Sequence, residues 1–212
     1  MTALSTEPDA LVCVVDDDAM VRESLRLLLE TLGLQCEAYA DCRGFLDSAR
    51  LNDCRCLILD VRMPGMSGTV LQEILQERYA YLPVIFISGH GDIPLAVEAM
   101  RKGAVDFMQK PFNEQLLLDR VQKALALCRE RLQSETEQRE ISLRLASLTP
   151  RERDVLDAIL SGLPNKRIAD QLGIGIKTVE QHRARAMHKL QARNLADLFH
   201  LVGQPGKRGL PG

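Results

Sequence analysis

The chain has 212 residues, with 27 Lys+Arg against 29 Asp+Glu, a formal net charge of −2 and 46% apolar residues. That composition supports one or two packed domains and argues against wholesale disorder. It holds no apolar run of the roughly 18 residues a membrane helix needs, no basic-then-apolar leader in MTALSTEPDA, and too few cysteines, six, for a disulfide scaffold. CRC at 54–56 is not a zinc-ligand spacing and no second pair completes one. The cysteines read as reduced thiols of a cytoplasmic protein, with redox sensing as a minor alternative.

Charge is unevenly spread. Residues 1–127 hold 12 basic and 19 acidic side chains, and 128–146 hold 4 of each. Residues 147–203 hold 9 basic and 6 acidic, with His182, His188 and His200. An acidic first part and a basic second part direct a polyanion to the second.

LVCVV at 11–15 is short, apolar and β-branched, the pattern of a buried parallel strand. Val21, Leu25, Leu28, Leu29 and Leu32 recur at helical spacing, which predicts a helix over 20–32 stopped by Gly33. A strand follows at 34–39, and Asp41 is placed to cap a helix over 42–50. CLILD at 56–60 is a further strand, MPGMSG at 63–68 a loop, and 69–77 a helix. PVIFIS at 83–88 is a strand, GHGD at 89–92 a loop, 93–102 a helix, AVDFM at 104–108 a strand, and a helix starts near 113. Five strand–helix units predict an α/β fold, a doubly wound parallel sheet with helices on both faces.

Ligands of such sheets sit at the carboxyl ends of the strands. The first strand ends in Asp16, Asp17 and Asp18, the third in Asp60, the fourth in Ser88, and the fifth leads to Lys110. Singly, each has a bland explanation: Asp17 or Asp18 can cap the next helix, and Lys110 can be a solvated lysine. Capping alone does not account for all of them at one edge. Crowded carboxylates hold a hard divalent cation such as Mg2+. A carboxylate oxygen can attack phosphorus. The cation and an ammonium group then offset charge on the transferring oxygens, and the Ser88 hydroxyl can donate to one of them.

VVDDDAMVR (14–22), LILDVRMPGMSG (57–68), FISGHGD (86–92) and VDFMQKPF (105–112) closely resemble a two-component receiver domain, flavodoxin-like in fold, over about residues 10–127. The resemblance implies Asp60 as the phosphorylated residue. It implies Asp16 and Asp17, with Asp60 and the backbone carbonyl of Arg62, as the Mg2+ ligands. The acidic pair can also be read one register later, on Asp17 and Asp18; Asp16 and Asp17 are preferred because they directly follow the strand. Ser88 matches the switch hydroxyl, Lys110 the invariant lysine with a cis bond to Pro111, and Phe107 the switch aromatic.

Leu118, Val121, Leu125, Cys128 and Leu132 extend a helical spacing that breaks at QSETEQRE, so residues 128–146 read as a helical linker rather than a coiled coil. Thr149-Pro150-Arg151-Glu152 is a capping box with proline at the first helical position. Gly162 ends that helix. Asn165 is placed to cap a second helix closed by Gly173, a third runs from Ile176 to about Leu190, and Asn194 can cap a fourth. Two short helices across a glycine turn make a helix-turn-helix. LTPRERDVL (148–156), NKRIADQLG (165–173) and KTVEQHRARAMHKL (177–190) resemble the LuxR-type DNA-binding domain over 147–203. Together the two resemblances point to a response regulator of the NarL/FixJ type. GQPGKRGLPG (203–212) reads as a disordered tail.

At 100° per residue, Val179, Ala186 and Leu190 share the packed side of the third helix. Lys177, Gln181, Ala184 and His188 lie opposite, with Glu180 and Arg185 at the shoulders; Thr178 belongs to the same DNA-facing set. Gln181 is suited to adenine and Arg185 to guanine or phosphate. Arg183, nearer the packed side, suits the backbone. Gly175 replaces the family's small polar cap before this helix.

The partners implied are a sensor histidine kinase, double-stranded promoter DNA, a second copy of the chain on phosphorylation, and RNA polymerase, with no membrane. The copies are expected to pair through residues 93–112, after Ser88 and Lys110 answer the phosphoryl charge and Phe107 turns inward. Two other readings are an aspartyl-phosphate phosphatase or phosphotransferase and a protein-binding adaptor. Such enzymes place an acid two residues after the acceptor, where this chain has Arg62, so no enzymatic activity is expected.

Overall fold

The computed structural model describes residues 10–89 and 93–202. The N-terminal stretch 1–9, the loop residues His90, Gly91 and Asp92, and the Gly/Pro-rich tail 203–212 lie outside them. The chain divides into two compact units between Gln133 and Ser134.

The first unit carries β1 (Leu11–Val15), α1 (Ala19–Glu30), β2 (Gln35–Tyr39), α2 (Cys42–Leu46), β3 (Cys54–Asp60), α3 (Gly68–Arg78), β4 (Val84–Ser88), α4 (Ile93–Arg101), β5 (Asp106–Gln109) and the start of α5 (Glu114–Ala146). Its five strands form a parallel sheet in the order β2-β1-β3-β4-β5. β1, β3 and β4 are apolar on both faces because helices cover both. Leu11, Cys13, Val15, Leu57, Leu59 and Phe86 face a core with Phe45, Leu71, Leu75 and Ala99. Val12, Val14, Ile58, Ile85 and Ile87 face Leu25 and Leu29 of α1 and Leu117, Val121 and Ala124 of α5. This is the doubly wound arrangement the strand pattern predicts.

Two local expectations shift and a third holds. The helix after Asp41 ends at Leu46, not at 50; Asp41 does cap it, accepting from Gly44 N–H at 2.8 Å, and a single 3-10 turn over Leu51–Asp53 leads into β3. The fifth strand runs 106–109 instead of 104–108, because Gly103 turns at φ 81° and Ala104 N–H bonds back to Ala99. The last helix of the first unit runs on through 128–146 as one helix, α5, in keeping with the helical reading of the linker.

Gly68 at the first turn of α3 decides how closely that helix meets β3. Its N–H donates to Val61 carbonyl at 3.0 Å. A Cβ there would lie 2.2 Å from the Asp60 carbonyl oxygen, 3.0 Å from Leu59 Cγ and 3.1 Å from Phe86 Cε1. No side chain fits.

The second unit contains α6 (Pro150–Leu160), α7 (Asn165–Leu172), α8 (Ile176–Leu190) and α9 (Leu195–Val202). They pack around Val155, Leu156, Ile159, Ile168, Val179, Ala186, Leu190 and Leu198. The capping box forms as expected: Thr149 Oγ1 accepts from Glu152 N–H and Glu152 Oε2 accepts from Thr149 N–H at 2.9 Å. Glu152 is only 3% exposed, and Lys189 Nζ at the end of α8 reaches it at 2.6 Å and the Ser147 carbonyl at 3.0 Å. Those bonds hold the Glu152 carboxyl below its ordinary pKa, Lys189 contributing most. Asn194 caps α9 through Asp197 N–H at 2.8 Å. Asn165 does not cap α7. Pro164 occupies the cap position with φ −72°, and Asn165 is the first helical residue. No helix among the described residues is long and apolar enough to cross a membrane.

Two outcomes test this packing. Glycine-to-alanine in a helix gains up to about 1 kcal/mol, but overpacking costs about 1–3 kcal/mol or more. Gly68→Ala should therefore lower the urea midpoint of the first unit, while Gly44→Ala, whose nearest neighbours lie at 3.7 and 3.9 Å, should leave it equal or higher. Glu152 has a depressed folded pKa, so its contribution is present above the unfolded carboxyl pKa and lost as pH falls through the folded one. Calorimetry of the full-length chain should show Glu152→Gln melting the helical unit earlier than the parent at neutral pH. That gap should close below about pH 4.

Candidate functional site

The strand registers bring the predicted residues to one edge. Val15 pairs with Leu59, Asp60 with Ile87, and Ser88 with Gln109. Asp16, Asp60, Ser88 and Lys110 therefore emerge side by side at the carboxyl ends of β1, β3, β4 and β5. Carboxylate oxygens of Asp16, Asp17 and Asp60 all lie within 4.8 Å of one another. Asp16 is 0% and Asp60 7% exposed, whereas Asp17 faces solvent. Lys110 Nζ sits 2.6 Å from Asp16 Oδ2 and 3.6 Å from Asp60 Oδ1. Its backbone N–H donates to the Ser88 carbonyl at 2.7 Å, and its bond to Pro111 is cis.

The acidic register is resolved by capping. Asp18 is the N-cap of α1 and accepts from Met20 N–H at 2.8 Å. Asp16 and Asp17 are the pair that joins Asp60.

Like charges at such separations repel by about 3 kcal/mol per pair at an effective dielectric of about 20. Burial pushes the Asp60 carboxyl above its ordinary pKa; Lys110 opposes the rise and Asp16 adds to it. Three carboxylates and one ammonium leave a formal charge of −2. A divalent cation with oxygen preference matches that charge and that donor set. The acidic pocket can thus hold Mg2+.

The remaining predicted residues fall around this edge. Ser88 is buried at the end of β4. Arg62 is exposed in the loop after β3. Phe107 is half-buried, its ring 6.2 Å from that of Phe86, and it lines an open groove with Ala96, Val97, Met100, Arg101 and Asp106. Ile93, Val97 and Met100 of α4 are exposed.

Three contacts at the sites were not legible in the sequence. Cys42 Sγ donates to the Met66 carbonyl at 3.3 Å, tying α2 to the loop after Asp60. Arg22 Nη1 donates to the Asp16 carbonyl at 2.7 Å. Asn165 Oδ1 accepts from Arg183 Nη1 at 3.4 Å. No periodicity or motif marks side chains that bond to a distant backbone or to another helix. The six cysteines form no disulfide, and burial pushes the Cys42 thiol to about 11 and the Cys36 thiol to about 12.

In the second unit, α7 leads through Gly173 (φ 65°) into α8, whose cap Gly175 makes no side-chain hydrogen bond. Val179, Ala186 and Leu190 are buried, as their spacing predicts. Lys177, Glu180, Gln181, Ala184, Arg185 and His188 are exposed together; Thr178 and Arg183 are half-buried. A helix presented this way across a helix-turn-helix is the shape that enters a major groove.

Comparison with known proteins agrees with both halves. Residues 12–122 match the response regulator receiver domain, and residues 146–202 match the bacterial regulatory proteins of the luxR family. The transcriptional regulatory protein FixJ of Azorhizobium caulinodans is 44% identical, over 92% of this chain and 93% of that protein. The transcriptional regulatory protein TdiR of Thauera aromatica is 42% identical, over 100% and 96%. Among solved structures, the response regulator StyR matches at a TM-score of 0.82 with 47% identity, covering 91% of this chain and 98% of that one. Full-length FixJ from B. japonicum matches at 0.55 with 39% identity, covering 92% and 96%. The chain belongs to the two-component response regulators that join a receiver domain to a LuxR-type DNA-binding domain, and it is a transcription regulator of that family.

Proposed function

We propose that residues 10–127 form a receiver in which Asp60 accepts a phosphoryl group from the phosphohistidine of a sensor kinase. Residues 128–146 serve as a helical linker and 147–203 as the DNA-binding domain. The observation that carries the reading is the convergence of Asp60, the Asp16–Asp17 pair and the Lys110 ammonium at one sheet edge.

Asp60 presents a carboxylate oxygen to phosphorus. The new bond is O–P, the bond broken is the histidine N–P, and the imidazole leaves and takes up a proton. Asp16, Asp17, Asp60 and the Arg62 carbonyl would hold Mg2+, which when bound supplies neutralising charge to the phosphoryl oxygens. Lys110 is placed to shed part of its contact with Asp60 and meet an added oxygen. Ser88, at the neighbouring strand end, is placed to donate to another.

Added charge at Asp60 then acts through β4, α4 and β5. Movement of Ser88 toward it opens space beside α4, and Phe107, half-buried at that groove, turns into it. The exposed Ile93, Val97 and Met100 favour pairing of this face with its copy, and a two-fold dimer sets two copies of α8 on a palindromic promoter within reach of RNA polymerase. Gln181 and Arg185 read base edges, with Lys177, Thr178, Glu180, Arg183 and His188 around them.

With acetyl phosphate and Mg2+, the parent should be labelled and Asp60→Asn should not; label persisting on another acid would defeat the assignment. Phosphorylation should double the sedimenting mass and raise promoter affinity, and both changes should be incomplete in Ser88→Ala and Phe107→Ala.

On DNA, Gln181→Ala should lose about 1–3 kcal/mol of discrimination. Lys177→Ala should weaken specific and random duplex alike and lower the salt slope by about 1. Salt-dependent fluorescence anisotropy separates these outcomes.

A further inference from the structure

Arg22 stands at the start of α1 and is half-buried. It belongs to none of the roles above. Its guanidinium donates to the Asp16 carbonyl oxygen at 2.7 Å. That bond completes the fixing of Asp16. The Asp16 N–H donates to Tyr39 carbonyl at 3.2 Å. Its Oδ1 accepts from Asp18 N–H at 2.9 Å, and its Oδ2 accepts from Lys110 at 2.6 Å. Asp16 is wholly buried, so its carbonyl depends on a protein donor.

The oxygen that Arg22 holds belongs to the peptide unit joining Asp16 to Asp17. Rotation of that unit is what would swing the exposed Asp17 carboxylate away from Asp16 and Asp60. We propose that Arg22 is a positioning residue of the phosphoacceptor site: by clamping the Asp16–Asp17 peptide it aims the Asp17 carboxylate at the divalent cation. The inference rests on the reading of Asp16, Asp17 and Asp60 as the cation site and Asp60 as the acceptor.

Two effects of Arg22 oppose each other. Its positive charge repels a cation, a repulsion that water and counter-ions screen at its partly exposed side chain. Its hydrogen bond orders a ligand, and a bond from a charged donor to a buried acceptor is worth roughly tenfold or more. Ordering therefore wins, and removing Arg22 weakens the cation despite removing a like charge.

The test uses the full-length chain. MgCl2 is titrated calorimetrically into unphosphorylated parent, Arg22→Met and Arg22→Lys, and Asp60 labelling by acetyl phosphate is followed across the same Mg2+ range. Thermal melting in EDTA establishes that each variant is folded. Arg22→Met should raise the Mg2+ dissociation constant about tenfold, with the maximal labelling rate recovered to within about twofold once Mg2+ saturates. Arg22→Lys, a charged donor on a long stem, should restore most of the affinity. Unchanged or tighter Mg2+ binding by Arg22→Met, beside a parent that binds and is labelled on Asp60, overturns the inference and leaves the site reading standing. So does a folded Arg22→Met whose labelling stays low at saturating Mg2+. A parent that neither binds Mg2+ nor is labelled on Asp60 overturns the site reading and the inference together.

Discussion

Three carboxylates held within 4.8 Å of one another, two of them buried, are a standing source of repulsion. The architecture of the first unit is intelligible as the means of containing it. Lys110 reaches two of the acids from the end of β5. The polar atoms of Asp16 are met by Tyr39, Asp18, Lys110 and Arg22. Behind them stand strands whose apolar runs are buried on both faces, so the acids cannot separate without exposing core. One residue, Asp17, is left facing solvent, on the side from which a cation can reach the cluster.

The second unit solves a different problem. The helix proposed to read DNA, α8, has to be rigid in placement and polar on its outer face. Rigidity comes from Val179, Ala186 and Leu190 inside and from Lys189, which locks the end of α8 to the capping box of α6. Glu152 is used twice, once as a cap acceptor and once as an ion-pair partner, which explains a buried acid in a small helical domain. The Asn165–Arg183 bond ties α7 to α8 on the side nearer the core.

Much of this was legible in the residues. The apolar runs LVCVV, CLILD and PVIFIS gave the strands, and the polar residues that stop them mark the functional edge because a parallel sheet aligns its strand ends. The faces of α8 followed from spacing alone. What escaped were competitions that a linear reading does not weigh. Pro164 fixes the cap conformation and displaces Asn165 by one position. The turn at Gly103 and Ala104 delays β5. Arg22, Cys42 and Asn165 act on partners 6, 24 and 18 residues away, through backbone or amide groups that no motif encodes.

The glycine contact at the start of α3 gives the receiver a stiff side and a compliant one. α3 is pressed against the acceptor strand at a distance that only hydrogen allows, and it buries Leu71, Gln72 and Leu75 behind that contact. α4, packed into the same core, buries Ala99 alone and leaves Ile93, Val97 and Met100 in solvent. On the proposed function, a load applied at Asp60 would fall on the softer support. The direction in which a signal would then leave the site follows from an asymmetry of packing already present in the unphosphorylated chain.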